Sequence, residues 1–174
     1  MLTYLYRILA LPVLILMLTG GAVAQERAAI QALATVVSSL SIVGTNNLQF
    51  GTVTPGVTKS VDKATIGFAG EWEVTGTSSA ELTVDFTLPD TLRTADTLGA
   101  MRIDFGATDA SYSDGTGSQP APTGTINPNG PIVRRIGAGG MLTVWIGGTV
   151  YPRVSQTGGD YSAEILLTVA YTGS

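Results

Sequence analysis

At 174 residues the chain has room for one domain with a real core and little for a second. It contains no histidine and no cysteine, which removes Ser-His-Asp and Cys-His nucleophilic sites, the common zinc sites and any disulfide staple. A net charge of −4, with Lys59 and Lys63 the sole lysines and Arg134-Arg135 the densest positive spot, excludes the basic surface that nucleic acid requires.

The first two dozen residues read as a cleaved secretory signal. Arg7 gives the positive flank, Ile8 to Leu18 is apolar, and Ala22-Val23-Ala24 has the small-x-small form of a cleavage site before Gln25. An apolar core of about a dozen residues is short of the roughly 20 that a spanning helix needs, so membrane contact is expected only through residues 1–24 during export. Removing them takes away Arg7 and no acid, leaving 8 basic and 13 acidic groups and a net charge of −5.

Residues 25–34 form an N-terminal extension, in which Ala28, Ile30, Ala32 and Ala34, continued by Val36, recur at period two; Ala and Gln also favour helix, so the pattern is open. A single β-sandwich domain is expected over 35–174. Its first strand spans Thr35 to Val43, with Val36, Leu40 and Ile42 alternating against Val37, Ser39 and Ser41, before turn chemistry at Gly44-Thr45-Asn46-Asn47. Leu48 and Phe50 then point one way, Gly51 marks a bulge or close backbone approach, and Pro55-Gly56 ends the run. Val57 to Gly67 and Glu71 to Gly76 are strand candidates, the second with Trp72 and Val74 facing in.

The cleanest alternation sets Leu82, Val84, Phe86 and Leu88 against Thr83, Asp85 and Thr87, and ends at Pro89-Asp90. A polar connection leads to Met101, Ile103 and Phe105 against Arg102 and Asp104. Residues 106–131 read as a long loop, with a brief strand allowed at Ala110 to Tyr112; so long a connection in a small domain is usually functional or mobile. Ile132 to Ile136 and Met141 to Tyr151 follow, the latter bent at Gly147-Gly148. The closing run puts Ile165, Leu167, Val169 and Tyr171 on one face; their full burial would contribute at most roughly 6 to 12 kcal/mol. No segment after the signal has helical spacing over three turns, so an all-β fold of about seven to nine antiparallel strands is expected, a sandwich or barrel.

Four constellations have bland readings that outweigh the chemical ones. Gly115-Thr116-Gly117 and Gly137-Ala138-Gly139-Gly140 lack the strand-to-helix context of a phosphate loop and are turns. Glu71 and Glu73, with Asp85 as an opposite partner, resemble a glycosidase pair but sit at exposed alternating positions. Asp104, Asp109 and Asp114 lack the ligand spacing of an EF-hand and suit turns. Trp72, Trp145, Tyr112 and Tyr151 are too few for a sugar platform; Trp72 is in phase with core, whereas Trp145 is out of phase with Leu142, Val144 and Ile146, on the outer face. No catalytic residue, metal ligand or cofactor is expected.

Two signatures together carry a resemblance. Leu48-x-Phe50-Gly51-x-Val53-x-Pro55-Gly56, and Gly159-x-Tyr161 followed by Leu167-Thr168-Val169-Ala170-Tyr171, resemble the secreted bacterial domain-of-unknown-function family 4402 (DUF4402), itself similar to spore coat protein U and archaic chaperone-usher pilins. The resemblance implies an immunoglobulin-like, pilin-like sandwich in the periplasm or at the surface of a Gram-negative cell. It also implies assembly by strand addition. The donor would be the segment carrying Ile30, Ala32, Ala34 and Val36, and the acceptor the edge with Ile165, Leu167, Val169 and Tyr171. The partners would be other copies or related surface subunits and a periplasmic chaperone. The expected function is thus a non-enzymatic structural surface protein; the alternative is a self-complete, monomeric secreted sandwich that binds a ligand or partner through residues 106–131.

Overall fold

A computed structural model describes Gln31 and residues 39–172 of the chain. Residues 39–172 lie within one compact unit, Val37–Ser174. The signal segment and the donor positions Ile30, Ala32, Ala34 and Val36 lie outside the described residues.

The described residues are all-β, with thirteen strands and no helix, more and shorter strands than the periodicity indicates. They form three antiparallel sheets. In the first, β1 (Ser41–Asn46), β3 (Gly70–Thr75), β10 (Met141–Ile146), β7 (Ala110–Ser113) and β8 (Gly124–Ile126) lie side by side in that order. In the second the order is β12 (Tyr161–Ser162), β5 (Thr91–Thr94), β6 (Ala100–Asp104), β11 (Gly148–Tyr151) and β2 (Lys59–Val61). The third is β13 (Leu166–Tyr171), β4 (Glu81–Thr87) and β9 (Ile132–Arg135).

One core joins the three. Leu82, Val84 and Phe86 of β4 meet Val74 of β3 and Leu142, Val144 and Ile146 of β10, with Met101, Ile103 and Val150 from the second sheet. These are the inward members of the alternations legible in the sequence, and their burial is what an all-β layered fold consistent with a β-sandwich requires.

The strand count differs because long runs are split between sheets. The run from Met141 to Tyr151 breaks at Gly147, where a β-carbon would collide with the Val61 carbonyl oxygen and lie 2.7 Å from the Lys63 nitrogen; glycine lets the chain pass from the first sheet to the second. The closing run divides likewise: β12 pairs with β5, β13 with β4, and residues 163–165 carry the chain between sheets. The expected strand from Val57 to Gly67 is cut to Lys59–Val61, because the Asp62 carboxylate accepts from the Ala64 N–H at 2.8 Å and turns the chain. Of the expected first strand, 35–38 lie outside the described residues; Ser39 and Leu40 are not strand, and β1 runs from Ser41 through Gly44 to Asn46 with a bulge, so the Gly-Thr-Asn stretch is strand rather than turn.

Candidate functional site

β13 is an edge. It pairs along its whole length with β4, from Leu166 opposite Thr87 to Tyr171 opposite Leu82, and no described strand pairs with its other side. Its alternation is as the sequence indicates: Leu167 is in the core, Ile165, Val169 and Tyr171 are half-buried against it, and Leu166, Thr168 and Ala170 face out. Because three of the four are only half-buried, their contribution falls below the full-burial bound.

β1 is the corresponding edge of the first sheet, paired among the described residues only with β3. Beyond it the chain from Asn47 to Pro55 joins no sheet, and is held by the Gln49 N–H donating to the Phe68 carbonyl at 2.8 Å and by Lys59 Nζ donating to the Thr52 carbonyl at 2.8 Å. Gly51 and Gly56 have φ of 60° and 75° in this stretch, the left-handed conformation that glycine adopts without strain.

Between this segment and residues 156–165 lies a groove of about 1090 Å³. Leu48, Phe50, Trp72, Met101 and Ile103 give it apolar walls, and Ile165 closes it on the β13 side. Trp72 is oriented by an edge-to-face contact with Phe86, centroids 6.0 Å apart at 74°. Leu48, Phe50 and Trp72 are half-buried around it, apolar surface that a further element would remove from water.

Of the four expected acceptor residues, only Ile165 lines the groove. Toward Tyr171 the space is already taken. Leu40 Cδ1, Ile136 Cδ1 and the Tyr171 hydroxyl all converge on Gly76, where a β-carbon would lie 3.0, 2.8 and 2.5 Å from them. Periodicity finds the inward face of β13 but not this half-open, half-filled arrangement, because Leu40 and Ile136 arrive from distant parts of the chain.

The remaining candidates do not converge. Residues 106–131 contain the brief strand allowed at Ala110 to Tyr112, as β7, and a further strand, β8, and Ala110, Ser111 and Ile126 in them are buried. The intervening turn is strapped down: Ser113 Oγ donates to the Gly117 carbonyl at 2.9 Å, and Gln119 Nε2 donates to the Lys63 carbonyl at 3.0 Å. Asp104 pairs with Arg102 at 3.4 Å, and Asp109 accepts from the Gly106 N–H at 2.7 Å. The Asp114 carboxylate accepts from the hydroxyls of Thr116 and Thr123, which hold its pKa below the usual carboxylate range. Each aspartate thus serves its own turn or strand.

Glu71 and Glu73 lie on the outward face of β3, whereas Asp85 is on β4 of another sheet, opposite Thr168. Trp72 is in the groove; Trp145 is on the opposite face of its sheet, as its phase indicates, but 5 % exposed there and in register with buried Ser111. Tyr112 lies under Arg134 at 5.0 Å, and Tyr151 under Arg102 at 4.8 Å. The four aromatics occupy separate places and build no platform.

No protein-family model matches the chain, and no curated protein matches it. The site therefore stands on its geometry: a six-residue edge with no described strand on its other side, whose leading end borders a groove of mixed lining with apolar walls, an arrangement suited to accepting an extended segment by main-chain pairing with side chains seated at alternate positions.

Proposed function

We propose that the chain is a non-enzymatic, secreted structural subunit that assembles with copies of itself by strand addition. The observation that supports this reading is the edge of β13, which has no described strand on its other side and begins beside a groove with apolar walls. The donor in this reading is the segment of a second copy carrying Ile30, Ala32, Ala34 and Val36, whose side chains at period two would lie on one side of an added strand. In such a strand Ile30, the largest of them, would lie toward the end of β13 that borders the groove beside Ile165, and the small alanines toward the end crowded by Leu40 and Ile136.

The resemblance to the DUF4402 family and to archaic pilins supports this reading, with two departures: the donor side chains are mostly small, and the cysteine pair of many pilins is missing. It would make the sandwich immunoglobulin-like, with β13 as a last strand lacking its neighbour. Export through residues 1–24, a surface or periplasmic location and a chaperone that covers the edge before assembly belong to the same proposal.

The test is assembly itself. Purified full-length protein run without boiling should give a ladder of stable multimers, and deletion of residues 25–34 should leave unpolymerised subunits. A monodisperse monomer whose melting temperature is unchanged by that deletion would exclude strand exchange.

A further inference from the structure

Two cross-strand neighbours on the outer face of the first sheet are buried, although the core lies on the other side. Trp145 and Ser111 are register partners, and they alternate with the inward residues Val144, Ile146 and Ala110, so both point away from the core. Yet Trp145 is 5 % exposed and Ser111 0 %. Another part of the chain must cover this face.

The cover is the loop that joins β7 to β8. Residues 114–123 fold back over the sheet instead of running out from the end of the hairpin. Their start is fixed on the outer face by Ser113, the register partner of Thr143: its Oγ donates to the Gly117 carbonyl and accepts from the N–H groups of Gly115 and Gly117 at 3.1 and 3.0 Å. Their tip is fixed at the opposite end of β7. Gln119 Nε2 donates to the Lys63 and Thr65 carbonyls at 3.0 and 3.4 Å. The Lys63 nitrogen lies against Gly147, whose own N–H donates to the carbonyl of Asp109, the residue before β7. From Asp109 to Ser113 is about 13 Å of strand, and the chain from Ser113 to Gln119 can span about 20 Å, so the loop is long enough to lie along the whole of β7. Ser111 is midway along that path, and Trp145 is beside it.

Under this strap one polar atom of each side chain is left over. Trp145 Nε1 and Ser111 Oγ are buried with no hydrogen-bond partner among the described residues, so they do not bond to each other. The indole N–H can only donate, whereas the hydroxyl can donate and accept. Buried groups of this kind pair with protein or with ordered water, and a gap too wide for a direct bond between two polar atoms is where a bridging water sits. Register partners have β-carbons about 5 Å apart, a separation that one water can bridge, and two partners meet the least that a buried water needs.

We infer that one ordered water molecule is held beneath the strap, where it accepts from Trp145 Nε1–H, donates to Ser111 Oγ and is closed in by the bonds of Gln119. This inference does not rest on strand exchange. It assigns residues 114–123 a task within the fold, the closing of a hydrated polar pair against the sheet.

The experiment has two arms. A high-resolution crystal structure of the protein should show a single water within hydrogen-bond distance of both Trp145 Nε1 and Ser111 Oγ. A direct bond between the two side chains, a main-chain carbonyl on the indole N–H, a water touching only one of the atoms, or no water there would each overturn the bridge. In solution, the Trp145 indole proton, assigned by its absence in Trp145→Phe, should exchange slowly in the wild type. Gln119→Ala, which unpins the tip, should speed that exchange roughly five-fold, the equivalent of one ordinary hydrogen bond. Exchange that stays within about two-fold of the wild type in Gln119→Ala would overturn closure by the strap. An indole proton that exchanges in the wild type as fast as a free one would overturn the site itself.

Discussion

The third sheet has two edges, and they are built in opposite ways. β9 is four residues long, follows Pro128 and Pro131, and turns Arg134 to the same face as buried Leu82, its register partner. The Arg134 guanidinium lies over Tyr112, and its Nε is buried without a hydrogen-bond partner among the described residues. On the outward face, Arg135 pairs with Glu81 at 2.9 Å, an exposed contact of little energetic weight. β13 is six residues long, has no proline or charge within it, and turns Leu167, Val169 and Tyr171 inward. Short length, proline and an inward charge are the devices by which natural sheets keep an edge from pairing with another molecule. One edge is short, is preceded by proline and carries an inward charge, and the other has none of these, so a strand added to the described sheet would be confined to the β13 side.

The largest expected effect comes from giving β13 the device that β9 has. Val169→Lys places a charge on the inward, half-buried face of the open edge. It should cost about 2 kcal/mol of monomer stability and abolish multimers while the protein still unfolds cooperatively. Val169→Thr, of similar shape and uncharged, should retain them. Chemical denaturation together with unboiled gels checks both; multimers persisting in the lysine variant would show that the edge of β13 is not where copies join.

How far this contrast is legible in the sequence varies by element. β4 and the core half of β10 are legible because Leu82, Val84, Phe86 and Leu142, Val144, Ile146 alternate with polar neighbours, and burial follows from the pleat. β7 is not. In Ala110-Ser111-Tyr112-Ser113 the side chains on both faces are small or polar, so no period appears, yet Ala110, Ser111 and Ser113 are buried between neighbouring strands. β5 hides for a related reason: Leu92 is its sole apolar residue. The split of the last run into β12 and β13 is set by which strands wait on either side of residues 163–165, a long-range fact with no local signal.

The groove is the clearest case of this limit. Leu48 and Phe50 are visible as a same-face pair and Trp72 as an inward residue, but their alignment across from Ile165 comes from pairing of β1 with β3 and of β13 with β4, and periodicity does not report pairing. Arg134 was visible only as part of the densest positive spot; its inward direction needs the register with Leu82.

A smaller effect is expected from removing the guard on β9. Arg134→Leu replaces a charged side chain whose Nε is unpartnered with one that matches Leu82, so monomer stability should stay the same or rise by about 1 kcal/mol. The edge would then be apolar on its inner face, and in the Δ25–34 background, which lacks the proposed donor, sedimentation should detect weak dimers absent from the parent. If Arg134→Leu Δ25–34 remains strictly monomeric at high concentration, shortness and proline alone suffice to blunt β9.

The smallest effect is a pH dependence at the support beneath that guard. Tyr112, which carries the Arg134 guanidinium, packs against Gly124, and a β-carbon there would lie 2.9 Å from Tyr112 Cε1. The preceding residue, Thr123, donates its hydroxyl to the Asp114 carboxylate at 3.0 Å, and Thr116 Oγ1 donates to the same oxygen at 2.6 Å. Those bonds, Thr116 first, lower the Asp114 pKa, so the carboxylate stabilises the folded turn at and above the usual carboxylate range and loses that contribution as pH falls through its depressed value. The group is exposed, so the change is a local loosening of 114–124 rather than unfolding. The amide resonances of Thr116 and Gly124 should titrate together with a midpoint below that of an ordinary aspartate, and Asp114→Asn should remove the transition; a midpoint in the ordinary range would mean that the turn, and the Tyr112 support built on it, does not depend on this carboxylate.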